Sequence, residues 1–280
     1  MPSPSAPHLD TDLAEKVLVR FLRDELRRTG LTELVLGLSG GIDSAVAAML
    51  AVRAVGAEHL HAVAIPSAES SPQSLADARA VATAGGFALD VVSIAEGAAG
   101  LVPSLGREGD AVTPLRRGNV LARLRMIVLY DRSAAVKRLV VGTSNKTELL
   151  LGYGTLHGDM ASALNPLGDL YKCQVRALAR HVGVPAQVIE KPPSADLWAG
   201  QTDEGEMGLT YDEADAILFR LVDQRRGPAE VVADGFAEAT VRRVESMIVR
   251  SQFKRRMPVI AKLSQRTIGW EFRFPRDWRT

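Results

Sequence analysis

Cysteine is almost missing from this 280-residue chain: Cys173 stands alone. A single thiol excludes an internal disulfide and a cysteine-held metal cluster, and it suits a reducing compartment. The cytoplasm is therefore the expected location. Net charge is equally scarce, at +1. So even a balance leaves no electrostatic footprint for nucleic acid or for a membrane surface, and neither is expected as a partner. No apolar run approaches the length needed to cross a bilayer. Internal repeats and long low-complexity segments are absent from the sequence. Met1 to Asp10 is rich in Pro and Ser without an apolar run, and reads as a loose tail, not a signal peptide. What the chain does have is 46% hydrophobic residues, enough for one good-sized domain with a large core.

The pattern along the chain predicts an α/β fold. Asp12 to Arg28 is an amphipathic helix, with Leu13, Val17, Phe21 and Leu22 on one side. Glu33–Ser39, His61–Ile65, Ala88–Ile94 and Arg138–Thr143 read as strands, separated by helices over Asp43–Val55, Ser71–Ala84 and Asn119–Val136. Strands alternating with helices predict a doubly wound parallel sheet with right-handed crossovers, here five-stranded in the order 3-2-1-4-5. Gly106–Gly118 has no period and reads as a mobile loop, and Lys191–Gly208 is too polar and broken for a core element, so it reads as a loop or lid. Residues 12–280 are expected to form one domain: a sheet core to about residue 184, the 191–208 lid, and a helical part over 210–260.

Leu34-Val35-Leu36-Gly37-Leu38-Ser39-Gly40-Gly41-Ile42-Asp43-Ser44 carries the most information. An apolar strand runs into small residues and then directly into a helix. Small residues let the backbone turn tightly and approach a ligand, and the first N–H groups of the helix point at it with the helix dipole behind them. That arrangement suits a phosphate chain. The Gly-Lys-Ser/Thr ending of a Walker loop is missing, and Asp43 stands where a metal bridging the phosphates could bind. Gly37-Leu38-Ser39-Gly40-Gly41 also matches the G-x-S-x-G elbow of a serine hydrolase. Position argues against that reading, because only one helix and one strand precede Ser39 and no His-Gly-Gly segment lies upstream.

In the expected strand order, strands one and four are neighbours and open a crevice at their C-terminal ends. The segment Gly142-Thr143-Ser144-Asn145-Lys146-Thr147-Glu148 ends strand four and would converge there with the Ser39–Ser44 loop. Glu148 could then supply a second carboxylate beside Asp43, a number that suits a hard divalent cation when phosphates provide the other oxygens. The plain alternative for Glu148 is a solvent-facing helix acid.

The glycine-serine loop resembles the pyrophosphate loop of ATP pyrophosphatases that activate a carboxylate or carbonyl as an adenylate. Four further blocks narrow the resemblance. Gly118–Met126 is similar to an Asn-x-x-Ala-Arg-x-Arg-Met helix, Val140–Glu148 to a Gly-Thr segment, and Asn165–Lys172 to Pro-Leu-x-x-Leu-x-Lys. Lys191–Trp198 with Gln201–Glu204 resembles a Pro-Ser/Thr-Ala-Asp-Leu loop followed by Thr/Ser-Asp-Glu. In order and spacing, the five blocks resemble ammonia-dependent NAD synthetase.

The resemblance implies that the nicotinate carboxylate of deamido-NAD attacks the α-phosphorus of ATP, that pyrophosphate leaves, and that ammonia converts the acyl adenylate to NAD and AMP. By the same carry-over Gly37, Leu38, Ser39, Gly40, Gly41, Ile42, Asp43 and Ser44 hold ATP, joined by Thr143, Lys172 and Ser194. Asp43 and Glu148 bind Mg²⁺, Asp43 and Lys172 serve catalysis, and Arg123 and Lys254 contact deamido-NAD. A homodimer is implied, with the Asn119 helix and the C-terminal helices at its interface. Free ammonia is the expected nitrogen donor, and a separate glutaminase partner stays open. Three positions depart from the family pattern: Leu156, Ala163 and Phe253 replace a Lys, an Asp and a His that contact substrate. Competing readings are an adenylating amide ligase for another carboxylate, and a nucleotide sensor that has lost catalysis.

Overall fold

The computed structural model describes residues 7–107, 109–194, 196, 201–256 and 258–267. The chain opens with helix α1 (Thr11–Thr29), capped by the Asp10 carboxylate on the Leu13 N–H and closed by Gly30 in the left-handed region. Strand β1 (Leu34–Gly37) leads to α2 (Ile42–Val55), and β2 (Leu60–Ala64) leads to α3 (Pro72–Gly85), which starts with Pro72 behind the Ser71 cap. Strand β3 (Leu89–Val91) is followed by α4 (Ala95–Leu101), then α5 (Pro114–Val136), β4 (Leu139–Val141) and α6 (Lys146–Leu151). The remaining helices are α7 (Lys172–His181), α8 (Ala186–Glu190), α9 (Asp203–Met207), α10 (Tyr211–Leu218), α11 (Pro228–Ala233) and α12 (Glu238–Arg250).

The strands are all parallel, in the order β3-β2-β1-β4. Side-chain alternation along β1 explains how this sheet is buried on both faces. Leu34 and Leu36 join one core with α1, α2, α3 and α7; Val35 joins another with Val63, Val140, Ile94 and Leu121, beneath α4 and α5. The alanine-rich α2 buries ten of its residues, so it sits close against the sheet and holds the loop before it firmly. A third core, around Tyr211, Ile217, Val231 and Val244, builds the helical unit of α10–α12 against Leu151 of α6.

Several expectations need correction. The described residues form four strands, not five. On the β4 edge, where the order 3-2-1-4-5 would put a fifth, Leu164 makes a single parallel bridge to Val141, with the Gly142 N–H donating to the Leu164 carbonyl at 2.6 Å. Asn165-Pro166 follows at once, and proline cannot extend a ladder of backbone bonds. The Gly106–Gly118 loop is shorter than expected, because α5 begins at Pro114 with the Thr113 hydroxyl accepting from Arg116 N–H. That Thr-Pro start was readable as a helix signal. Within the 191–208 segment, Asp203–Met207 is helical. Ala195, Leu197 and Trp198 of the same segment, and Met1–Ala6 of the expected tail, lie outside the described residues.

Gly40 holds the close approach between the loop and α3. Its φ is +79°, and a Cβ there would meet the Ser74 carbonyl oxygen at 2.1 Å. Gly40→Ala should therefore cost about 2 kcal/mol or more from the left-handed backbone and the clash. Urea unfolding measures it, and an unchanged midpoint would show that α3 gives way freely.

Candidate active site

The loop after β1 is built to be rigid before any ligand arrives. The Leu38 N–H still donates to Val63 O at 2.8 Å, so the chain leaves the sheet only at Ser39. The Ser44 hydroxyl donates to Gly41 O at 2.9 Å and accepts from Ser39 N–H at 3.2 Å. The Ser39 hydroxyl lies 3.1 Å from it and accepts from Gly41 N–H at 3.2 Å. Gly41 caps α2 without a side chain, so the first helical N–H groups receive no side-chain acceptor there. An anion is the natural partner for such groups. The same bonds dispose of the hydrolase elbow: Ser39 Oγ is engaged by Ser44 and a backbone amide, and no histidine is among the residues lining the cavity beside it.

The convergence expected from strand order is realised as a charge centre. Lys172, at the first turn of α7, is 2% exposed, and its Nζ lies 2.6 Å from Asp43 Oδ2 and 3.2 Å from Glu148 Oε1. Asp43 comes from the first turn of α2, after β1, and Glu148 from the first turn of α6, after β4. Asn145 orients both acids: its Nδ2 donates to Asp43 Oδ1 at 2.9 Å, and it forms a reciprocal capping box with Glu148 at the start of α6. Burial would depress the Lys172 ammonium, but Asp43 and then Glu148 outweigh it and leave its pKa above the ordinary lysine value. Burial pushes Glu148 up to about 7, with Lys172 opposing and Asp43 adding to the rise. The Tyr211 ring centroid stands 4.7 Å from Lys172 Nζ.

A cavity of about 780 Å³ opens over this centre, within the range of small-molecule and cofactor sites. Gly37, Leu38, Ser39, Gly41, Ile42, Asp43, Ser44, Thr143, Glu148, Lys172, Ser194 and Lys254 all line it. Gly40 does not; its part is steric. Lys254 reaches in from the turn after α12 and donates to the carbonyls of Gly152 and Gly154 at 2.8 and 2.7 Å. Arg123 is outside the lining, on the exposed side of α5, with its guanidinium on the Leu156 carbonyl at 3.2 Å. Leu156, Ala163 and Phe253 are also outside it, and Phe253 is exposed. His157, beside Leu156, is exposed and likewise outside the cavity lining.

Sequence reasoning passed over residues that the fold brings in. Arg125, two positions after Arg123, faces the cavity and donates to Ile65 O at 3.1 Å and Ser70 Oγ at 3.2 Å. Among the described residues it forms no ion pair, so its charge meets no carboxylate at contact distance. The Ala-Arg-x-Arg spacing was a signal, since alternate residues of a helix face different ways. Asp203 and Glu206 of α9 line the cavity as well; the Tyr153 hydroxyl lies 3.0 Å from Asp203 Oδ1, and the Tyr211 hydroxyl 3.0 Å from Asp203 Oδ2.

Comparison with known proteins agrees with this geometry. The family model described as NAD synthase matches residues 14–258. The NH(3)-dependent NAD(+) synthetase of Trichlorobacter lovleyi is 55% identical over 271 residues, covering 97% of this chain and 98% of that protein. The protein of the same name from Chlorobaculum tepidum is 50% identical over 99% of this chain and 98% of its own length. Among solved structures, an NMN synthetase from Francisella tularensis aligns with a TM-score of 0.80 at 33% identity, covering 91% of this chain and all of the other. An NH3-dependent NAD synthetase from Campylobacter jejuni gives 0.75 at 30% identity with the same coverage. With a match across most of its length and relatives half identical to it, this chain belongs to the NAD synthase family.

Proposed function

We propose that the chain catalyses the ATP-dependent amidation of deamido-NAD by ammonia, yielding NAD, AMP and pyrophosphate through an acyl adenylate. The observation that carries this reading is one cavity in which a helix N-terminus, two carboxylates and a buried ammonium meet. A carboxylate is a poor acyl donor. Its oxygen bonds to the α-phosphorus of ATP, the bond to the β-phosphate oxygen breaks, and pyrophosphate departs. Ammonia nitrogen then bonds to the acyl carbon, AMP leaves with the C–O bond electrons, and the nitrogen sheds a proton. None of these steps needs a side-chain nucleophile. The protein's contribution is positioning and neutralisation of charge.

The N–H groups at the start of α2 are placed to hold the departing phosphates, and Lys172 to neutralise the charge that develops on them. With both acids ionised, Asp43, Glu148 and Lys172 together leave one excess negative charge, which repels a polyphosphate unless a further cation enters. Two carboxylates around one point, completed by phosphate oxygens, are a donor set that suits Mg²⁺; the described residues offer no group of three or more His, Cys, Asp or Glu that could hold a metal without substrate. When bound there, Mg²⁺ supplies neutralisation of the phosphate oxygens. Thr143 and Ser194 complete the ATP contacts in this reading.

Lys254, inside the cavity, and Arg123, outside it, are assigned to deamido-NAD. Arg123 can serve that role if the dinucleotide extends across a homodimer interface on α5. The exposed apolar side chains of Ile127 and Tyr130 on the same helix support such an interface. Free ammonia is the nitrogen donor in this reading. No helix among the described residues is long and apolar enough to cross a membrane, and we place the enzyme in the cytoplasm.

Incubation with ATP, Mg²⁺, ammonium and deamido-NAD should give NAD and AMP in equal amounts. ATP binding without either product would overturn the reading, and turnover of nicotinate mononucleotide in preference to deamido-NAD would redirect it to another carboxylate. Asp43→Ala should lower kcat by roughly 10²–10³-fold, the scale of a lost electrostatic contact at the transition state, with unchanged circular dichroism. Lys172→Met should also destabilise the fold by about 3 kcal/mol, because it strands two half-buried carboxylates beside each other. A loss below about 1 kcal/mol in urea unfolding would show that cavity water already screens them.

A further inference from the structure

We propose that Asp215 is a positioning residue for the reaction, acting through Thr147 to fix Lys172 and Glu148 relative to each other. The inference rests on the functional reading above. Asp215 is fully buried on α10, and among the described residues it forms no ion pair. Its Oδ1 accepts from the Thr147 hydroxyl, and its Oδ2 accepts from Cys173 N–H at 2.7 Å. Thr147 Oγ1 in turn accepts from Lys172 N–H at 3.0 Å. A closed set of bonds thus joins α6, α7 and α10 through the immediate chain neighbours of Glu148 and Lys172.

The local chemistry explains why a carboxylate sits there. The first N–H groups of a helix have no partner within it. At α7 the cap residue Tyr171 makes no side-chain cap bond, so the Lys172 and Cys173 amides are satisfied from outside, by Thr147 and Asp215. The positive end of α7 offsets part of the cost of burying the Asp215 charge. Lys172 leaves the helix from this first turn, so the turn's orientation sets where Nζ falls between Asp43 and Glu148. Tyr211, one helical turn before Asp215 and on the same side of α10, places its ring beside that ammonium. A side chain that holds a reacting group within about 1 Å of its place can be worth on the order of 10²-fold in rate without touching substrate.

The test compares Thr147→Val, which removes the hydroxyl and keeps the shape, with Thr147→Ser, which keeps the hydroxyl and removes the methyl, and with Asp215→Asn. Each is assayed for NAD formation per folded molecule, with kcat and KM determined separately. Thr147→Val and Asp215→Asn should lower kcat by roughly 10–100-fold with KM for deamido-NAD within about 3-fold. Thr147→Ser should keep kcat within about 3-fold of the parent, and the Thr147→Val/Asp215→Asn pair should be no worse than its poorer member. A merely structural role predicts the reverse: lower melting temperatures, kcat per folded molecule unchanged, and Ser no better than Val. An active parent with unaltered kcat in Thr147→Val overturns this role alone. A parent that forms no NAD overturns the functional reading and this role with it. Should Asp215→Asn fail to fold, the Val and Ser variants decide the question by themselves.

Discussion

The contact on which the site depends is the Lys172 ammonium held between Asp43 and Glu148. Three segments distant in sequence supply these groups: the start of α2, the start of α6 and the start of α7. A buried lysine without acids would shed its proton, and the two acids without the lysine would repel each other. Each charge is therefore tolerable only because the fold delivers the other two. The pairing also ties the parallel sheet to its two flanking helices at the one point where the strand order opens a crevice. In the proposed function the stabilising contact and the reactive centre are the same set of atoms.

That centre is unbalanced by one negative charge, and the imbalance has a use. Glu148 is the group that shows it, with a pKa carried up to about 7 by burial and by Asp43. A few residues away, the N-terminus of α2 offers amides and a positive dipole end with no side-chain acceptor. One side of the cavity thus demands a cation and the other an anion. The metal-bound polyphosphate of the proposed function would satisfy both, whereas free phosphate or free metal would satisfy only one.

Local chemistry made the first half of this legible from sequence. The Ser-Gly-Gly-x-Asp-Ser loop carries its own instructions: small residues for the turn, hydroxyls that bond within the loop, and an apolar strand and helix on either side. Asn145 and Glu148, at capping-box spacing, likewise announce a helix start. Elements that depend on partners were harder to read. In place of a fifth strand there is a single bridge at Leu164: Pro166, two residues on, cannot extend a ladder, and the Asn165 amide between them donates to Ser144 O at 3.0 Å. Arg125 looked like one more helix arginine beside Arg123; only the packing of α5 on the sheet turns one inward and leaves the other outside.

The helical unit at the end of the chain was the least legible part, and the reason is physical. Tyr211 and Asp215 have no local signature, since tyrosine and aspartate on short helices are common surface residues, and Asp203 stood in its Thr/Ser-Asp-Glu block without a role. Their meaning comes from Tyr211 packing into the third core while its hydroxyl remains polar and must find a partner. It finds Asp203, and Asp203 lines the cavity. Asp215, one turn later, faces the same way and meets the open amides of α7. A core built for packing therefore aims the Tyr211 hydroxyl at the cavity wall and the Asp215 carboxylate at the helix start that carries Lys172, and the apolar residues that seat α10 hold the site together with the hydrogen bonds that reach it.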